Sequence, residues 1–134
     1  MILLDTNVLI DLPDDDVLGD ETLGASILSR AELEFAIRSA RNDSIALARA
    51  QYLSALDRFI DWLPFDADAS RAYGFLAASM LRNGAKGRAR KTDTFIAAQA
   101  YAAGVPLMTR NIADFAAITS LVRIVDPGRA GADA

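Results

Sequence analysis

Apolar positions in this chain fall either in short unbroken runs or at helical spacing. Ile2-Leu3-Leu4 is a run stopped at once by Asp5-Thr6-Asn7, which reads as a short buried strand ending at a carboxylate. Val8, Leu9 and Ile10 then start a short helix, with Asp5 or Thr6 as its N-cap. Pro13-Asp14-Asp15-Asp16 reads as a solvated turn, because adjacent acids in a loop have no enforced convergence. Leu23–Leu28 is expected to be the second strand. Ser29 is expected to cap a helix reaching about Ala40, apolar at Ala31, Leu33, Phe35, Ala36 and Ile37. Arg41–Ser44 breaks that pattern, and a longer helix from about Ser44 to Asp61 follows, apolar at Ile45, Ala48, Tyr52, Leu53, Leu56, Phe59 and Ile60.

Trp62-Leu63-Pro64-Phe65 predicts a third strand, at a sheet edge because of its proline. A helix from about Ala67 to Leu81 leads into a basic, glycine-containing loop, Arg82–Lys91. Thr92 opens a helix that stops at Gly104 with Pro106 just beyond. Val105–Thr109 is the fourth strand, Asn111 caps a short helix through Ala117, Leu121–Val125 is the fifth strand, and Asp126–Ala134 is a polar tail. Strands alternating with helices predict a single α/β domain over residues 1–134, with a largely parallel sheet and right-handed crossovers.

That topology gives four acids a common address. Asp5 ends the first strand, and Glu32 lies in the first turn of the helix after the second. Asp114 occupies the same place after the fourth strand. Asp93 opens the helix that runs antiparallel into the fourth strand, so it too sits at the strands' C-terminal edge, where open α/β sheets bind ligands. Each acid also has a purely structural reading. Ser29-Arg30-Ala31-Glu32 has the spacing of a capping box, and Asn111-Ile112-Ala113-Asp114 is a weaker version. Asp93 suits a helix N-terminus through the macrodipole alone, and Asp5 suits a cap. Convergence favours the chemical reading, since clustered carboxylates repel and resist burial unless a divalent cation sits among them. Glu34 competes with Glu32, but two residues turn about 200° around a helix, so both cannot face one metal.

Composition narrows the chemistry. The 134 residues contain no cysteine and no histidine, which removes thiol nucleophiles, zinc-thiolate sites and imidazole as base or ligand. An oxygen-only site favours Mg²⁺ or Mn²⁺. The net charge of -4 means that nucleic-acid binding would need a local basic patch. Arg82, Lys86, Arg88, Arg90 and Lys91, just before Asp93, offer one, although an exposed solvating loop has the same composition. Hydrophobic residues make up 52% of the chain and mean hydropathy is +0.19, which argues for a packed core. No apolar run reaches the ~18 residues of a membrane span, and no basic leader precedes the first strand. A cytoplasmic protein is expected.

Four segments of the sequence, Ile2–Asn7, Ser29–Phe35, Asp93–Ala100 and Thr109–Phe115, together resemble the PIN-domain ribonucleases, most closely the VapC toxins of toxin–antitoxin pairs. The resemblance implies a three-layer α/β/α fold with about five strands in the order 3-2-1-4-5, and Mg²⁺- or Mn²⁺-dependent cleavage of RNA by an activated water. It implies that Asp5 and Asp93 are the principal metal ligands, with Glu32 and Asp114 ligands directly or through water. Thr109 would orient the cluster or the attacking water, and Asn111 would support the same turn. The implied partners are RNA, a VapB-type antitoxin lying in a groove near the helical pair 33–60, and a second copy of the chain in a homodimer.

Other readings have distinct signatures. A receiver-type phosphoryl-transfer domain needs an acidic pair after the first strand and a lysine after the fifth, and both are missing. A haloacid-dehalogenase site needs an aspartate two residues after the first, where this chain has Asn7. A catalytically silent PIN-fold binding module, or a PIN nuclease that processes RNA without being a toxin, shares all the features above and is separated only by activity.

Overall fold

The first strand, β1 (Ile2–Leu4), lies at the centre of a five-stranded parallel sheet of order β3-β2-β1-β4-β5. The remaining strands are β2 (Leu23–Ser26), β3 (Asp61–Leu63), β4 (Leu107–Met108) and β5 (Ile124–Val125). The computed structural model describes residues 1–84 and 91–128. Leu3 is in register with Gly24 on one side and Leu107 on the other. Side chains in a strand alternate between faces, and here the alternation divides the core in two. Leu3 and Leu107 pack with Leu76, Ile96, Phe115 and Ile118 on one face. Ile2, Leu4 and Met108 pack with Val8, Leu9, Ala25 and Leu56 on the other. The first face is covered by the helices α5 (Ala67–Arg82) and α6 (Lys91–Ala103) and a 3-10 helix, Ile112–Ile118. The second is covered by α1 (Thr6–Leu9), α2 (Asp15–Leu18) and α4 (Asp43–Leu56), and α3 (Ile27–Arg38) packs against α4. This is the expected α/β/α sandwich with the expected strand order.

Several local expectations are corrected. Ser26, not Ser29, is the N-cap of α3. Its hydroxyl accepts from the Leu28 N–H at 3.0 Å, and Ser29 lies inside the helix. The capping box therefore does not form, and Glu32 belongs to the second turn of α3. The second strand ends two residues earlier than its apolar run suggests, because Ile27 leaves the sheet and is 41% exposed. Residues 15–18 form a short helix with three exposed aspartates at its start, in place of a turn. The longer helix of the pair is capped by Asn42 and ends at Leu56, well before Asp61. Asn111 precedes a 3-10 helix and makes no side-chain cap.

The helix that carries Asp93 is fixed at both ends of its buried face. Phe95 meets Phe65 edge-on at 5.1 Å between ring centroids and Tyr73 at 4.4 Å. Gln99 donates to the carbonyls of Leu63 and Pro64, at 3.0 Å each, which ties α6 to the exit of the edge strand β3. Gly104, at φ +68°, supplies the left-handed residue that ends α6 and turns the chain into β4. No described helix is long and apolar enough to cross a membrane.

Candidate active site

Parallel pairing of β1 with β4 brings the ends of the two central strands together. Asp5 leaves β1 just as Thr109 leaves β4, and Asp5 N–H donates to Met108 O at 2.9 Å. Asp5 has extended backbone (φ -67°, ψ 159°) and is the N-cap of α1. Its Oδ1 accepts from Thr6 N–H at 2.8 Å, and its Oδ2 accepts from the Thr109 hydroxyl at 2.8 Å. The structural reading of Asp5 as a cap is thus correct, but it uses only one of the two carboxylate oxygens. The side chain is 1% exposed.

Such burial disfavours the charged form, and desolvation is the largest influence raising the Asp5 pKa above its usual 3.8. The Thr109 hydroxyl and the Thr6 amide oppose the rise by donating to the carboxylate. The negative charges of Asp93 and Glu32 add to it, so both acids stand within electrostatic reach of Asp5. Asp93 is 5% exposed in the first turn of α6. Glu32 is half-buried on α3, and its Oε1 accepts from the Thr6 hydroxyl at 3.3 Å. Glu34 faces elsewhere. Arg30 binds it at 3.4 Å while making a two-pronged pair with Asp57, at 3.0 and 2.8 Å.

Thr109 is fully buried, and its single oxygen serves three partners. Besides donating to Asp5, it accepts from Asn111 N–H at 3.1 Å and from Asn7 Nδ2 at 3.3 Å. Asn111 therefore supports this turn through its backbone amide. Asp114 is half-buried on the 3-10 helix that follows, and its backbone N–H donates to Asn111 O at 3.1 Å. Of the basic residues, Arg82 closes α5 and Lys91 opens α6, both exposed. Lys86, Arg88 and Arg90 lie outside the described residues.

Sequence reasoning left Asn7 out of the site. Its Nδ2 reaches Asp5 Oδ2 at 3.2 Å as well as Thr109, and its Oδ1 accepts from Arg110 N–H at 3.1 Å. Asn7 thereby stitches the β1 exit to the β4 exit across a hundred residues of chain. Its place directly after Asp5-Thr6 was the one available signal.

The donors fit a hard, hydrated cation. All are oxygens, two of the acids are buried, and the buried Asp5 carboxylate is disfavoured by its own surroundings. Among the described residues no three acids stand close enough together to form a ready metal site. Magnesium does not require one, since it retains several waters and takes one or two carboxylates directly.

A family model described as the PIN domain matches residues 2–120. The VapC ribonuclease Y4jK of Sinorhizobium fredii is 38% identical over 132 residues, which cover 87% of this chain and 91% of that protein. Ribonuclease VapC5 of Mycobacterium tuberculosis is 32% identical over 122 residues, covering 87% and 86% of the two chains. Among solved structures, a member of the VapBC family of toxin–antitoxin systems, VapBC-5 from Mycobacterium tuberculosis, superposes with a TM-score of 0.77 at 27% identity, covering 92% of this chain and 94% of that one.

Proposed function

The chain belongs to the PIN-domain family, and from that premise we propose that it is a VapC-type toxin that hydrolyses RNA phosphodiester bonds with the help of Mg²⁺ or Mn²⁺. The observation that carries the reading is the buried Asp5 carboxylate, held at the switch point of the sheet with Asp93 and Glu32 in electrostatic reach. Ligands in open α/β folds bind at such a point. A structural carboxylate would be cheaper to bury alone, or beside a cation of the protein's own, than beside two further acids.

Asp5, Asp93 and Glu32 are the residues that would hold the ion, with Asp114 contributing directly or through water. A divalent cation supplies Lewis acidity, lowering the pKa of water and offsetting charge that builds on the phosphate. The Thr109 hydroxyl keeps Asp5 oriented and favours its ionised form. Asn7 and the Asn111 amide hold Thr109 in turn. This division matches metal sites in which outer hydrogen bonds orient the direct ligands. The chain has no histidine, and the chemistry proposed needs none.

Arg82, Lys86, Arg88, Arg90 and Lys91 are the residues proposed to meet RNA phosphates, against a net charge of -4 that would otherwise repel them. The partner proposed for the protein in the cytoplasm is a VapB-type antitoxin. Phe35 on α3 and Leu47 on α4, 72% and 60% exposed, offer an apolar face suited to an amphipathic segment. A homodimer bound to that antitoxin is the proposed assembly.

The test is incubation of the antitoxin-free protein with total cellular RNA in EDTA, in Mg²⁺ and in Mn²⁺. Discrete fragments with 5′-phosphate ends, made only when metal is present, are expected. Equal cleavage in EDTA, or none from folded protein in either metal, would overturn the reading.

A further inference from the structure

Ser29 and Thr6 stand between the two sides of the acid cluster, and neither hydroxyl caps a helix: Asp5 and Ser26 do so. Ser29 is fully buried inside α3, three residues before Glu32 and therefore on the same helix face. A serine inside a helix commonly bonds back to the carbonyl one turn earlier. This one reaches across to α1, where its Oγ lies 2.7 Å from Thr6 Oγ1. Thr6 Oγ1 in turn lies 3.3 Å from Glu32 Oε1.

The direction of this chain is fixed by proton count. A carboxylate only accepts, so the proton of Thr6 goes to Glu32. Thr6 has no second hydroxyl proton, so Ser29 must be the donor in the shorter contact. Meanwhile the Thr6 backbone N–H donates to Asp5 Oδ1. One residue thus holds two acids, Asp5 through its main chain and Glu32 through its side chain. Without that second bond, Glu32 is half-exposed and repelled by Asp5, and solvent is the obvious alternative for its carboxylate.

We infer that Ser29 and Thr6 are positioning residues, a one-way hydroxyl chain running Ser29 to Thr6 to Glu32 that holds the Glu32 carboxylate toward Asp5 for a divalent cation. The inference rests on the metal-dependent reading above and adds residues that act on the ion through Glu32.

The experiment is direct Mn²⁺ titration by electron paramagnetic resonance on the full chain, with thermal unfolding of each variant as a check of fold. Thr6→Val should weaken Mn²⁺ binding about tenfold, the scale of one hydrogen bond to a charged group. Thr6→Ser should restore it. Ser29→Ala should weaken it less, by roughly threefold, and gives an independent reading if Thr6→Val fails to fold. The double variant should bind no more weakly than Thr6→Val, because Ser29 acts only through Thr6. Wild-type affinity in Thr6→Val and Ser29→Ala, or losses that multiply in the double variant, would overturn the chain. Asp5→Asn separates the two levels. If it binds Mn²⁺ as well as wild type, or if wild type binds none, the metal reading itself fails and the inference falls with it. If Asp5→Asn loses binding and the hydroxyl variants do not, only the inference fails.

Discussion

Replacing Thr109 by valine removes one oxygen from a fully buried side chain and leaves its volume almost unchanged. That oxygen donates to Asp5 and accepts from Asn7 and the Asn111 amide. A hydrogen bond to a charged group contributes about 1.5–3 kcal/mol. Asn7 keeps its bond to Asp5 Oδ2, and the Asn111 amide is at the edge of solvent, so these losses are partial. A cost of about 2–3 kcal/mol follows at neutral pH, or roughly 8–12 °C in unfolding midpoint for a domain of this size.

The pH dependence is more diagnostic than the size. The folded Asp5 pKa is raised above 3.8, so the stability linked to its protonation is fully present below 3.8 and is lost as pH rises through the folded value. Thr109 is the strongest influence opposing that rise. In Thr109→Val the Asp5 pKa climbs further, and the loss with rising pH grows. The difference between variant and wild type should therefore be small, about 1 kcal/mol, where Asp5 is protonated in both. It should widen toward neutral pH and then level off. Denaturant unfolding in EDTA over a pH series measures it, with Thr109→Ser as the control that keeps the hydroxyl. A deficit that does not change with pH would refute the assignment of Thr109 to the charged form of Asp5.

Further outcomes follow from the same geometry. Asp93→Asn should reduce RNA cleavage by more than the roughly 10–100-fold typical of an outer-shell loss, as a cleavage assay on protein shown to be folded by thermal melt would show. Neutralising Lys86, Arg88 and Arg90 together should weaken RNA binding and lower the slope of log affinity against log salt by about 2, read by fluorescence anisotropy at several salt concentrations. Phe115→Ala, on the buried face of the 3-10 helix, should cost about 3–5 kcal/mol in urea unfolding.

The order of elements and the nearness of Asp93 and Glu32 to Asp5 were legible because both depend on local signals. A three-residue apolar run ending at Asp5, and a glycine-proline stop after α6, constrain topology without any long-range information. Boundaries were less legible where apolar residues continue across a junction. Ile27 and Leu28 extend the second apolar run, yet they begin α3. The choice between Ser26 and Ser29 as cap depends on where β2 runs out of pairing with β3, which ends at Ser26 opposite Leu63. Phe59 and Ile60 extend the helical spacing of α4, and Ile60 is buried, so periodicity carried that helix beyond its end at Leu56. In the site, the orientation of Glu34 toward Arg30 depends on Asp57, which is distant in sequence. The bridging by Asn7 and the contact of Ser29 with Thr6 also join residues far apart in the chain, and no spacing rule reports them.

The central claim is that Asp5 anchors a divalent cation used to cut RNA. It is tested most directly by comparing wild type and Asp5→Asn, equally folded by thermal melt, on the same RNA across a Mg²⁺ titration. The account predicts cleavage by wild type that rises with Mg²⁺ and saturates, and none above background from Asp5→Asn at any concentration. Equal cleavage by the two proteins would contradict it.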